Sequence, residues 1–163
     1  MITMVTYLLI SLLSFFSSQC FGDDLPDNIS GITVGNYYGI FIGVENYKNF
    51  PKLKTPLNDV AALKKMVTTK YGFQQKDIIE LLNNQFTVIN LKTSLIKLKE
   101  MMNENDFLIL FYSGHSYLDE FKESYWIPSN SRQKNEADYF PHGLLLRMLR
   151  SISSRHILVI TDN

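Results

Sequence analysis

From residue 37 onward, short apolar runs alternate with stripes of apolar residues at helical spacing. Residues 38–44 (YGIFIGV) are apolar, bounded by turn residues and too short for a helix, so they predict a buried strand. Thr55-Pro56 resembles an N-cap with proline in the first helical turn. Leu57, Val60, Leu63 and Val67 then recur about once per turn, and Gly72 after Tyr71 supplies the stop. Ile78–Leu82 predicts a second strand. Thr87 is placed to cap a second helix whose Val88, Leu91, Leu95, Leu98 and Met102 step by three and four, with Lys92, Lys97, Lys99 and Glu100 on its other side. Residues 106–112 (DFLILFY) predict a third strand, apolar on both faces as a central parallel strand requires. Residues 125–127 predict a short accessory strand, 141–152 a third helix with Leu144, Leu145, Met148 and Leu149 inward, and 156–160 (HILVI) a fourth strand. This alternation implies a mostly parallel sheet covered by helices on both faces, an α/β fold.

The chain before residue 37 reads differently. Residues 1–22 carry no charged residue or histidine, and residues 5–16 form an apolar run interrupted only by Thr6, Ser11 and Ser14. That run has the length of a signal-peptide core and is too short to span a hydrocarbon layer of ~30 Å. Small residues at Ser18, Cys20 and Gly22 suit a cleavage site, although the usual basic residue ahead of the run is missing. Residues 1–22 are therefore expected to be a signal peptide, 23–36 a polar leader and 37–163 the folded domain, secreted and free of the membrane once the signal is removed. The 163 residues fit one domain. Sixteen basic residues against sixteen acidic ones leave no electrostatic footprint for nucleic acid. A lone cysteine, Cys20, excludes a disulfide framework and a thiolate zinc site.

In open α/β sheets, working residues lie beyond the carboxyl ends of the strands. Strand one leads into Glu45-Asn46-Tyr47 and then Asn58-Asp59, and strand two into the polar but chemically unremarkable Asn83-Asn84-Gln85. Strand three leads into Ser113-Gly114-His115-Ser116, and strand four into Thr161-Asp162-Asn163. His115, thrown out on a Ser-Gly turn, is placed for proton transfer near neutral pH, or is simply a surface-loop histidine. Asp162 closes the fourth strand on the same edge as His115, or serves as a strand-end turn acid. Asp59 is equally readable as a first-turn acid complementing the helix dipole. His142 at a helix start and His156 at a strand start read as structural, and no histidine pair has metal-ligand spacing. Neither G-x-G-x-x-G nor a phosphate-loop lysine follows strand one, and there is no G-x-S-x-G elbow. No cofactor is expected.

Taken in order, YYGIFIGVENY, PKLKTPLNDVAALKKMV, DFLILFYSGHS, YWIPSN and RHILVITDN resemble the large-subunit region of caspase-like cysteine peptidases, nearer the metacaspase and paracaspase branch than the apoptotic caspases. The resemblance implies a three-layer caspase-like fold, incomplete at its C-terminal edge. It matches His115 to the family's catalytic histidine and Asp162-Asn163 to the pair that precedes the nucleophilic cysteine, which would then be residue 164. It also implies that the Ser116 N–H helps hold the oxyanion. The family usually has glycine there, and serine adopts a positive φ less readily. Asp59 and Asp162 match the two acids of the first specificity pocket, which implies cleavage after Arg or Lys in a peptide or protein substrate.

A chain whose only thiol is Cys20 cannot form an acyl-enzyme in residues 37–163. The expectation is therefore a cysteine-type endopeptidase domain cut just before its nucleophile. The alternatives are a non-catalytic caspase-like binding or regulatory module and, further off, a flavodoxin-like cofactor-binding domain. Truncation should also leave the fourth strand as an exposed apolar edge. The oligomeric state is left open by the sequence.

Overall fold

The computed structural model describes residues 35–162. The signal-peptide expectation for residues 1–22, Cys20, the leader up to residue 34, and Asn163 lie outside them. The main sheet has four strands: β1 (Tyr37–Gly43), β2 (Ile78–Leu82), β3 (Phe107–Ser113) and β7 (His156–Asp162). Their order is β2-β1-β3-β7, and all pairs are parallel. The register runs Gly43↔Ser113↔Asp162 across the carboxyl ends, bringing three candidate loops to one rim.

Alternation along the strands splits the core in two. Ile40, Ile42, Leu108, Leu110 and Tyr112 face one layer, which holds α2 (Val88–Met101) and α3 (His142–Arg150). Phe41 and Phe111 face the other, where α1 (Pro56–Lys70) brings Val60 and Val67. Leu91, Leu95 and Leu98 of α2 are essentially fully buried, a contribution of about 1.5–3 kcal/mol each. In α3, Leu145 and Leu149 are buried, while Leu144 and Met148 pack from its margin. The helices therefore cover both faces of the sheet, as the sequence pattern required. Gly72 ends α1 at a φ of 75°, and the Thr87 hydroxyl caps α2 by accepting from the Asn90 N–H at 3.0 Å.

Thr55 departs from expectation. It stands at the N-cap of α1, but its side chain makes no capping bond. The acceptor comes from another loop: the Leu57 N–H donates to Glu45 Oε1 at 3.1 Å. The accessory strand at 125–127 is also only part of what forms. β4 (Ser116–Leu118), β5 (Ser124–Trp126) and β6 (Phe140–Pro141) make a small antiparallel sheet in that order. Strands of three and two residues carry too little periodicity to be read from sequence; pairing alone defines them.

Candidate functional site

The rim of the main sheet is built by bringing α1 close to β1. A Cβ on Gly43 would lie 2.9 Å from the Pro56 carbonyl oxygen and 3.0 Å from Val60, so only glycine lets the start of α1 approach. That approach carries Asp59 toward the end of β3, where the Ser113 hydroxyl lies 3.5 Å from Asp59 Oδ2. Asp162, four strands further along the chain, ends β7 opposite Ser113.

His115 sits on the turn between β3 and β4, and two tyrosines hold its backbone. Its N–H donates to the Tyr47 hydroxyl at 2.8 Å, and its carbonyl accepts from the Tyr112 hydroxyl at 2.5 Å and from the Ile127 N–H at 3.0 Å. Tyr112 spends its one proton on the His115 carbonyl, and the Tyr47 hydroxyl lies beside it against Gly114. Gly114 makes room for this clamp, because a Cβ there would fall 2.6 Å from the Tyr47 oxygen and 2.8 Å from that of Tyr112. Burial raises the pKa of both tyrosines above the ordinary value, so both remain neutral across the working pH range.

The imidazole is oriented as well as anchored. His115 Nε2 lies 2.8 Å from the Pro51 carbonyl oxygen. A carbonyl can only accept, so Nε2 carries the proton and Nδ1 is the ring's basic nitrogen. The ring also packs against Tyr47 (centroids 4.6 Å apart) and Phe50 (6.0 Å).

A cavity of about 290 Å³ opens beside this ring. It is lined by Leu53, Lys54, Thr55, Pro56, the Ser113–Ser116 turn and Asp162. His115 and Asp162 therefore meet in one cavity, as their positions in the sequence implied. Asp59 does not line the cavity; it lies behind it, bonded to Ser113. Desolvation is the main cause that raises the Asp59 pKa, and the neighbouring carboxylates of Asp162 and Glu45 add to it. Three acids thus gather near one cavity whose lining holds a single cation, Lys54. A larger hollow of about 510 Å³ lies elsewhere, between the start of α2 and residues 128–138. Its Arg132 is paired bidentately with Asp138, and none of the candidate site residues reaches it.

Ser116 does not require the left-handed backbone that glycine would supply. Among the described non-glycine residues, only Asn83, Lys122 and Lys134 have positive φ. In the register of β4 with β5, Ser116 faces Trp126 in a pair whose amides point away from each other. His142 begins α3 with its ring edge-on to Trp126, and His156 begins β7 stacked on Phe107.

The sequence reading missed the parts that act through backbone. Asn83, set aside as unremarkable, adopts a φ of 47°, and its Oδ1 accepts from the N–H groups of Glu45 (3.0 Å) and Asn46 (3.1 Å). That bond fixes the loop that supplies Glu45 to α1. An Asn directly after a strand, where left-handed backbone is common, was the available signal. The Pro51 carbonyl left no signal at all. Among the described residues, no group of three potential metal ligands occurs, and no helix is long and apolar enough to cross a membrane.

The chain resembles known proteins along the same elements. A match to the caspase domain spans residues 38–161. Metacaspase-1 of Eremothecium gossypii is 28% identical over 87 residues, covering 50% of this chain and 19% of the relative. The crystal structure of protein GSU0716 from Geobacter sulfurreducens superposes with a TM-score of 0.63 at 16% identity, over 78% of this chain and 50% of that one. The chain thus spans half or less of the length of these relatives. A parallel sheet presenting a clamped histidine and a strand-end aspartate at one rim, together with a caspase-domain match over nearly all the described residues, places the chain in the caspase family of cysteine peptidases.

Proposed function

We propose that the complete protein is a cysteine endopeptidase that cleaves after Arg or Lys. The observation that carries this reading is the state of His115: its backbone is held by two tyrosines, Nε2 is committed to Pro51, and Nδ1 is left to exchange protons beside a cavity. In this reading a thiol at position 164 follows Asp162-Asn163. His115 takes its proton, and the thiolate attacks the scissile carbonyl. The imidazolium then returns the proton to the departing amine. The Ser116 N–H and that of residue 164 hold the developing oxyanion, an arrangement in which one donor is worth ~3 kcal/mol.

The charge of the cavity supports a basic residue before the scissile bond. Asp162 lines it, and Asp59 and Glu45 stand close behind, against the single ammonium of Lys54. A net negative pocket favours guanidinium or ammonium and rejects carboxylate. Within residues 1–163 the only thiol is Cys20, so these residues alone should lack peptidase activity. We also propose that residues 1–22 direct the chain to secretion.

The test is to read the codon for residue 164 and assay the complete gene product on peptides ending in Arg, Lys or Asp. Cysteine at 164 with turnover of the Arg and Lys peptides is the expected result. Preferential turnover of the Asp peptide refutes the specificity, and any residue other than cysteine at 164 turns the reading to a non-catalytic module.

A further inference from the structure

The His115 ring lines the acid-bordered cavity, and it also packs on Tyr47 and Phe50, neither of which lines that cavity. From Phe50 the aromatic contacts continue to Tyr139 (centroids 6.3 Å apart) and on to Tyr117 (5.8 Å). Tyr139 is buried, so it acts as the rigid backing of this wall. Phe50 is half-buried and Tyr117 is 40% exposed, so these two present ring surface to solvent. Tyr117 follows Ser116 in β4, so its ring faces away from the cavity that Ser116 lines and joins His115 through Tyr139 and Phe50. The Glu136 carboxylate stands near the Tyr117 hydroxyl, and what the residue adds to the wall is its ring.

We infer that Phe50 and Tyr117 form a binding subsite for an apolar or aromatic side chain on the residue just after the scissile bond. This rests on the peptidase reading. If the basic side chain before the bond occupies the cavity, the chain leaving with the amine departs outside it, past His115. Proton return to that amine requires its nitrogen within hydrogen-bonding reach of the imidazole. The residue carrying the nitrogen is then laid against the wall that starts at the ring. Because Tyr139 fixes the wall in advance, a side chain docking there pays little ordering entropy.

The experiment uses the complete gene product and two peptides that differ only in the residue after the scissile bond, phenylalanine or glycine. A fluorogenic arginyl amide with no amino acid at that position accompanies them. We expect kcat/KM to be about tenfold higher for the phenylalanine peptide. The ratio should fall to near one in Phe50→Ala and in Tyr117→Ala, and be restored in Tyr117→Phe. Equal rates for the two peptides, or a ratio untouched by both alanine substitutions, overturns the subsite. Turnover of the amide separates the two readings: an enzyme that cleaves it but ignores the residue after the bond refutes the subsite alone. If nothing is cleaved, the peptidase reading fails and the wall is judged on the 163-residue chain by titration with Phe-Ala-Ala-amide and Gly-Ala-Ala-amide. Shifts of the Phe50 and Tyr117 ring resonances with the first peptide only support the subsite, and no shift with either overturns it.

Discussion

At the scale of single residues, the site holds charges that the fold would be more stable without. The raised pKa of Asp59 means that the folded chain binds its proton more readily than the unfolded chain does. Stability contributed by this group therefore falls as pH rises through its titration, starting near the unfolded value of 3.8. Asp59→Asn should raise the melting temperature by ~1–3 °C at neutral pH, with the gain fading as pH falls through 3.8 and absent well below it, where both states are protonated. Melting curves across pH check this, and a gain that persists at low pH would show that the carboxylate is not the cause. Under the proposed specificity, the same substitution should also weaken selection for Arg over uncharged residues. Tyr47 works in the opposite direction, since its hydroxyl accepts the His115 N–H. Tyr47→Phe keeps the ring that packs on the imidazole and leaves the His115 N–H without its acceptor, for a loss of about 1–3 kcal/mol. A urea titration measures the loss, and the His115 ring resonances should broaden or shift. Unchanged His115 resonances would mean that Tyr112 suffices to hold the turn.

At the scale of elements, much was legible and for a simple reason. Each long element must bury an apolar face against the sheet, and burial writes a period into the sequence. Ile78–Leu82 and the start of α2 at Val88 fall where the pattern put them, because two faces of packing leave few alternatives. His115 and Asp162 were legible too, since parallel strands send their carboxyl ends to one rim. What stayed hidden were bonds that depend on backbone atoms or on another loop. The cap of α1 comes from Glu45, twelve residues upstream, while the adjacent Thr55 makes none. Asn83 in turn holds the Glu45 and Asn46 amides from a loop nearly forty residues away. Glu45→Ala should cost about 1 kcal/mol, and Asn83→Ala a similar amount. Because both act on one loop, the double variant should lose less than the sum of the two. Strict additivity in chemical denaturation would show that the loop and the helix start are held independently. Asp106, buried and accepting from the Asn36 and Asn103 amides, pins the entry of β3 to the entry of β1.

For the molecule as a whole, the arrangement of the main sheet makes β7 the strand of consequence. It carries Asp162 to the rim, it pairs with β3 on one side, and among the described residues nothing pairs with its other side. Its sequence is HILVITD, with Leu158 51% and Val159 37% exposed. An apolar strand with an unpaired edge is a template for another strand. Pairing of a second β7 along that edge would add hydrogen bonds and cover Leu158 and Val159 at once. A preparation of these 163 residues should therefore self-associate, with the oligomer fraction rising with concentration in sedimentation experiments. Leu158→Lys combined with Val159→Lys places charges on both faces of the edge strand and should shift the population toward monomer without altering the far-ultraviolet signature of the fold. The parent chain sedimenting as a monomer at all concentrations would contradict this. So would a lysine variant that associates as strongly as the parent, because the contact would then lie on another surface, such as the hairpin bearing the exposed Leu118 and Phe121. Relief by the two lysines would locate the association at β7, the same strand that delivers Asp162 to the rim.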